Sequence, residues 1–110
     1  MEHHAKESQT ALPRLLSEGY RFDLAVVDGN HRFDAVLLDL VYLGQLLRPG
    51  KIVFLDDYHL QGVAPAASYF LTNLGWALEA VSTDEERHHW AVLRTSTEPD
   101  TRAFDYFRDF

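Results

Sequence analysis

The 110-residue sequence contains no cysteine, which excludes disulfide bonds and thiolate ligands for zinc. It also has little positive charge, with ten Lys and Arg residues against seventeen Asp and Glu residues and a net charge of −7. A nucleic-acid-binding surface needs a basic footprint, so we expect no nucleic-acid partner. No apolar run approaches the ~18 residues of a membrane span, and residues 1–10 are too polar for a secretory signal. We therefore expect a cytoplasmic protein with no membrane partner.

Several sequence motifs of nucleotide sites and nucleophiles are also missing. The chain has no G-x-G-x-x-G, no Walker-type G-x-x-x-x-G-K-[ST] and no G-x-S-x-G. A dinucleotide or nucleoside site would therefore lack its usual Gly-rich first turn. The composition is otherwise that of an ordinary globular protein, at 46% hydrophobic and 25% charged, and the length suits one domain.

The first half of the chain has the pattern of a βαβ unit. A short helix is predicted over residues 10–18 and a strand over residues 20–28. The run at 24–27 is apolar at every position, which is typical of a strand covered on both faces. A helix over 32–47, ended by Pro49 and Gly50, leads to a second strand over 51–55. The intervening helix predicts that the two strands are parallel.

The second half predicts a helix and a hairpin. The helix covers residues 63–74, and strands follow over 76–82 and 88–95 with a short polar turn between them. We expect the strand order first, second, fourth, third. Residues 1–9 are expected to form a flexible or edge segment. The tail at 96–110 ends in an aromatic stretch, which we expect to pack on its own domain or on a partner.

Acidic residues follow both predicted parallel strands at the point where each strand ends. Asp28 ends the first strand, and Asp56 and Asp57 end the second. Because the carboxyl ends of parallel strands meet at one edge of the sheet, we expect the three carboxylates to converge. Carboxylates are the ligands preferred by Mg²⁺, Ca²⁺ and Mn²⁺. The alternative is that they only cap the turns after the strands, where acids favour local hydrogen bonds.

Two histidines lie three residues beyond these acids, His31 after the first strand and His59 after the second. Either imidazole could act as a general base, because its pKa lies near neutrality, or could cap a turn as a surface residue. Tyr58 could line the same cleft or pack in the core. His88 and His89 are adjacent in a strand and point to opposite faces, so we assign them no joint ligand role.

Two motifs in these segments resemble class I S-adenosylmethionine-dependent methyltransferases. Residues 22–31 read F-D-x-x-x-x-D-G-x-H, and residues 46–57 read L-L-R-P-G-K-x-x-x-x-D-D. The pair is similar to the small-molecule O-methyltransferase branch, and the resemblance covers residues 12–95. It implies an α/β fold, a three-layer Rossmann-like methyltransferase half-fold whose mostly parallel sheet ends in an antiparallel hairpin.

The resemblance also implies site residues. Asp28, Asp56 and Asp57 stand where metal-dependent relatives bind a divalent cation, here Mg²⁺ or Ca²⁺. Such a cation holds a substrate hydroxyl and lowers its pKa. Asp28 and His31 are then the catalytic candidates, with His31 taking the proton. Tyr58 and His59 are the candidates for contact with the small-molecule acceptor.

The Gly-rich cofactor loop and the ribose-binding acid of that family have no counterpart in the sequence. The S-adenosylmethionine site is therefore incomplete and its residues are unassigned. We interpret residues 1–110 as a single truncated domain, with a second copy or a missing N-terminal half as the expected partner for the open first strand. Two functions stay open: a metal-assisted O-methyltransferase-like protein, or a non-catalytic, oligomeric interaction module on a degenerate methyltransferase scaffold.

Overall fold

The described part of the chain folds into three helices and four strands. The computed structural model describes residues 8–27, 32–82 and 89–110. Its elements in chain order are α1 (Ser8–Ser17), β1 (Phe22–Val27), α2 (Phe33–Leu46), β2 (Leu47–Asp56), α3 (Ala64–Asn73), β3 (Ala77–Val81) and β4 (Trp90–Arg94). Each matches a predicted element with shifted ends. None of the described helices is long and apolar enough to cross a membrane.

The four strands form one mixed sheet in the order β1-β2-β4-β3. β1 and β2 are parallel, and β4 runs antiparallel to both of its neighbours, β2 and β3. The helical crossover α2 explains the parallel pair, because parallel neighbours need a long connection. The strand order and the antiparallel hairpin are both confirmed.

The boundary between α2 and β2 differs from the prediction. The helix ends at Leu46, and Leu47 already has the extended angles φ −78° and ψ 141°. Pro49 and Gly50 therefore lie inside β2 and do not end the helix. Gly50 has φ +73°, which favours glycine, and its N–H donates to the carbonyl oxygen of Ser96 at 3.2 Å. Leu47, the first residue of β2, is buried in the core at 4% exposure.

The core lies on one face of the sheet, beneath the helices. The largest fully buried side chains come from α2, α3, β2, β4 and the segment before α3: Val36, Leu40, Leu46, Val53, Leu55, Val63, Phe70 and Leu93. Trp76 is buried against Phe70, with ring centroids 4.7 Å apart. Trp90 lies on the opposite face and stacks on Phe54 at 6.0 Å. The described residues thus supply the sheet and one helix layer.

The aromatic tail packs on the outside of the helix layer. The Phe110 ring stacks on Phe33 with centroids 6.1 Å apart and meets Tyr69 edge-on at 5.4 Å. The buried amide of Asn73 donates to the carbonyl oxygen of Arg108 at 3.0 Å and accepts from its N–H at 2.8 Å. These contacts place Phe110 and Arg108 against the chain's own helices, whereas Phe104 is fully exposed, so packing of the rest of the tail on its own domain or on a partner stays a prediction.

Candidate functional site

The predicted site lies at the edge of the sheet where β1 and β2 both end. Val27 pairs with Leu55 in the parallel ladder, so the two strands leave the sheet at one level. Asp56 is the last residue of β2, is half-buried, and pairs across the sheet with Trp90. Asp28 and His31, predicted from the sequence for the loop after β1, lie outside the described residues.

Asp57 turns the chain sharply away from the sheet. Its φ is +54°, and among the described residues it alone combines a side chain with a positive φ. Aspartate tolerates this left-handed region better than most residues, but such conformations still cost about 1–3 kcal/mol. The N–H of Leu60 donates to the carbonyl oxygen of Asp57 at 3.1 Å and closes the turn. Backbone strain of this kind clusters at functional sites, so it supports a role for this turn.

Tyr58 and His59 occupy different surroundings within that turn. The N–H of Tyr58 donates to the carbonyl oxygen of His89 at 3.1 Å, and its half-buried side chain packs against the core. His59 is exposed, and its ring centroid lies 4.5 Å from that of His89 at a tilt of 45°. The prediction that Tyr58 and His59 contact an acceptor stays a prediction. Core packing already explains the burial of Tyr58.

The contact between His59 and His89 was missed by reasoning from the sequence. The opposite orientation of neighbouring strand residues argues against a joint site for His88 and His89, but it does not prevent one of them from reaching another element. The register that pairs Trp90 with Asp56 brings the preceding residue, His89, beside the turn after β2. Only the register between β2 and β4 could have revealed this contact. His88 lies outside the described residues.

Two of the three predicted metal ligands lie among the described residues at this edge. Within residues 8–27, 32–82 and 89–110, no group of three or more His, Asp or Glu side chains could hold a metal ion. Asp56 and Asp57 are two of the three predicted carboxylate ligands, and the third, Asp28, falls in a gap between those ranges. The metal set therefore stays a prediction.

A cavity of about 550 Å³ lies at the opposite edge of the sheet. Phe70 and Trp76 line it with aromatic rings, and Arg21, Arg48 and Arg102 contribute guanidinium groups. Ligands of open α/β sheets bind outside the carboxyl ends of the strands, whereas this cavity borders the residue before β1 and the start of β2. The cavity is therefore separate from the predicted site.

A bidentate ion pair lies at the rim of this cavity. Arg102 donates from Nε and Nη2 to the two carboxylate oxygens of Asp100, both at 2.8 Å, and from Nη1 to the hydroxyl of Tyr69 at 3.1 Å. The side-chain hydrogen bond with Asp100 raises the pKa of Arg102 further above neutrality. The same bond holds the pKa of Asp100 below its usual value. The hydrogen bond from Arg102 to Tyr69 connects the beginning of the tail to α3.

Comparison with known proteins bears on the family and on the fold. A family model described as a methyltransferase domain matches residues 1–58. No curated protein matches the sequence. A solved structure, an O-methyltransferase from Bacillus cereus in complex with SAH, is similar with a TM-score of 0.62 at 13% identity. The match covers 81% of this chain and 47% of that one, so the chain spans about half the length of that protein.

The family match covers more than half of the chain and includes both quoted motifs. The structural match, at its low identity, bears on the fold alone. Together they confirm the resemblance to class I S-adenosylmethionine-dependent methyltransferases and the Rossmann-like α/β fold. The chain belongs to the methyltransferase domain family.

Proposed function

We propose that this chain carries the acceptor-binding and metal-binding part of an S-adenosylmethionine-dependent O-methyltransferase that acts on a small molecule. The supporting observation is the register of β1 and β2, which pairs Val27 with Leu55 and so ends both strands at one edge. Asp56 and Asp57 follow at that edge. Membership of the methyltransferase family supports the reaction class, and the O-methyltransferase of similar fold supports oxygen as the acceptor atom.

The acids at this edge suit a hard divalent cation. Asp56 and Asp57 offer carboxylate oxygens, which Mg²⁺ and Ca²⁺ prefer as ligands, and Asp28 would add a third carboxylate. A bound cation would lower the pKa of the acceptor hydroxyl. His31 would take the hydroxyl proton on a ring nitrogen. Tyr58 and His59, in the turn after β2, would orient the acceptor.

The residues of this chain do not fit the nucleoside part of the cofactor. S-adenosylmethionine, when bound, supplies the methyl group. The sequence holds no Gly-rich loop, and the 550 Å³ cavity lies at the wrong edge of the sheet. We therefore assign none of these residues to the adenosine or ribose. Calorimetry should detect no binding of S-adenosylmethionine by the isolated chain, and micromolar binding would overturn this assignment.

Thermal unfolding with and without Mg²⁺ or Ca²⁺ tests the metal proposal. Free metal at about a hundredfold its dissociation constant should stabilise the fold by ~2.7 kcal/mol. Asp57→Asn is the sharpest variant, because asparagine also tolerates the left-handed backbone. Measured against its own metal-free stability, this variant should lose most of the metal-induced shift.

Asp105→Asn, in the exposed tail, is the matched control and should retain the full shift. If millimolar metal does not shift the thermal unfolding of the wild-type chain, the metal proposal is wrong and the aspartates only cap turns.

A non-catalytic interaction module is the second candidate function. The observation that favours it is the sheet face opposite the helices, where Leu24 is 50% exposed. If metal does not change the stability of the chain, and the chain self-associates, these two results would favour the interaction module.

A further inference from the structure

The cavity of about 550 Å³ beside the starts of β1 and β2 has the size of a small-molecule pocket. Its lining comes from several parts of the chain: the residue before β1, α2 with the start of β2, α3 with the segment after it, and residues 95–102. Segments far apart in the sequence thus converge on one concave surface, which has no role in the proposed methyl transfer.

The walls of this cavity lie away from the two internal gaps in the described residues. Val27, which precedes the first gap, pairs with Leu55 at the far end of β2. Ser82, which precedes the second gap, donates its N–H to the carbonyl oxygen of Trp90 at 2.9 Å, and Trp90 pairs with Asp56. The described residues that lead into both gaps therefore lie at the opposite edge of the sheet from the cavity.

The apolar part of the cavity lies where Trp76 meets α2. A Cβ atom on Gly44 would lie 3.0 Å from Cζ2 of the Trp76 ring, so the glycine is what allows this close approach. Val41 lies one helical turn before Gly44 and is 36% exposed in the cavity wall, and Leu74 is half-buried there. These side chains form a wall that suits an apolar group.

Two of the three guanidinium groups in the lining are already neutralised. Arg48 forms an ion pair with Asp23 at 3.0 Å. Arg102 binds both carboxylate oxygens of Asp100. Neither pair leaves a net charge for a ligand.

Arg21 and Glu98 are the two charged groups of the lining that have no ionic partner among the described residues. Arg21 donates from Nη1 to the carbonyl oxygen of Tyr20, at 2.6 Å, and to no described carboxylate. Glu98 uses its backbone N–H, which donates to Oγ of Ser96, whereas its carboxylate makes no described hydrogen bond or ion pair. The cavity therefore offers one positive and one negative group to a ligand.

The strand order places these two charges on opposite sides of the cavity. Arg21 directly precedes β1 and Glu98 follows β4, and β2 lies between those strands. Two strand spacings of ~4.8 Å separate the backbones by roughly 10 Å, which the two long side chains can shorten. A ligand between them would contact both charges only if it carried an anionic and a cationic group itself.

We propose that this cavity binds a small zwitterion, a molecule that carries a carboxylate and an ammonium group on an apolar body, as an apolar amino acid does. The guanidinium of Arg21 binds the carboxylate, and the carboxylate of Glu98 binds the ammonium group. The wall at Trp76 and Val41 takes the apolar body. S-adenosylmethionine is not the expected ligand, because it carries a charged sulfonium in place of an apolar body.

An NMR titration of the isotope-labelled chain tests this site with three probes. L-phenylalanine carries both charges, 3-phenylpropionate lacks the ammonium group, and phenethylamine lacks the carboxylate. We expect a dissociation constant on the order of 1 mM for phenylalanine, and binding about fivefold weaker for each of the other two. The sequence has two tryptophans, and only Trp76 lines the cavity, so its indole N–H resonance should move and that of Trp90 should not.

Two variants separate the charges. Arg21→Gln should weaken phenylalanine and phenylpropionate by about fivefold and change phenethylamine by less than about twofold. Glu98→Gln should do the reverse, weakening phenylalanine and phenethylamine only. Both side chains are exposed, so neither substitution should disturb the fold. Arg14→Gln, on the exposed side of α1 and outside the lining, is the matched control and should change none of the three constants.

Three results would overturn the proposal. The first is an unmoved Trp76 resonance in about 10 mM phenylalanine. The second is binding of phenylpropionate or phenethylamine as tight as that of phenylalanine, and the third is an equal effect of Arg14→Gln and Arg21→Gln. Because neither Asp56 nor Asp57 takes part, failure here would leave the metal test unchanged.

Discussion

Both faces of the sheet carry apolar side chains, but the described helices pack on only one of them. Ala25 and Val53 are fully buried beneath the helices, whereas Leu24 and Val26, on either side of Ala25, are 50% and 38% exposed. The helix side is covered a second time, because Phe110 and its neighbours pack on the outside of α2 and α3. The strands are apolar on both faces, so they are suited to two covers, of which the described residues provide one.

This difference separates the part of the stability that belongs to the single chain from the part that depends on a partner. Burial on the helix face is complete in one copy, so its contribution to the free energy of unfolding should not depend on concentration. Burial on the opposite face would be gained only if a partner surface covers it, and its contribution should rise with the concentration of that partner.

The largest expected effect comes from matched Leu→Ala substitutions on the two faces. Leu55 is fully buried, so Leu55→Ala should lower the free energy of unfolding by about 2–5 kcal/mol through the cavity it leaves. Leu24→Ala should cost less than about 1 kcal/mol in the monomer, because half of that side chain is already in water. Urea unfolding measures both.

Protein concentration sharpens this comparison. If copies of the chain associate through the sheet face that carries Leu24, the cost of Leu24→Ala should grow with concentration, and the cost of Leu55→Ala should stay constant. If Leu24→Ala and Leu55→Ala lower the free energy of unfolding equally at every concentration, the two faces do not differ in burial.

The sequence predicts the topology well because each step has a local cause. The length of the crossover makes β1 and β2 parallel, and the short link between β3 and β4 makes a hairpin. The continuous apolar run at 24–27 also indicates two-sided burial, although not which face the chain itself covers. That depends on where the helices pack, and all the described helices lie on one side.

The site is predicted less completely, for reasons that lie in its register and backbone. The acids that follow each strand are visible in the sequence, and Asp56 lies at the expected edge. The left-handed backbone of Asp57 is not visible in the sequence, because aspartate is common in turns of every kind. The contact between His59 and His89 is not visible because it depends on how β4 pairs with β2. The structural role of Asp28 and His31 stays a prediction.

A smaller effect is expected where the tail covers the helices. The amide of Asn73 is buried and makes two hydrogen bonds with the backbone of Arg108. Asn73→Ala should cost about 1–3 kcal/mol, because it removes two hydrogen bonds of about 0.5–1.5 kcal/mol each. Arg108→Ala keeps both of these backbone hydrogen bonds and should cost less than about 0.5 kcal/mol. Similar costs would show that the tail is held by its side chains instead.

The smallest expected effect is the pH dependence of the pair between Asp100 and Arg102. Hydrogen bonding from Arg102 lowers the pKa of Asp100 in the folded state from its usual value of 3.8. The pair therefore stabilises the fold at pH values above 3.8, and this stabilisation is lost as the pH falls through the lowered pKa. Because Asp100 is 54% exposed, the pair should contribute no more than about 0.2–1 kcal/mol. Urea unfolding of Asp100→Asn should show that small deficit at neutral pH and none well below pH 3.8, with Asp105→Asn as the control. A deficit that persists in acid would mean that Asp100 acts through packing and not through its charge.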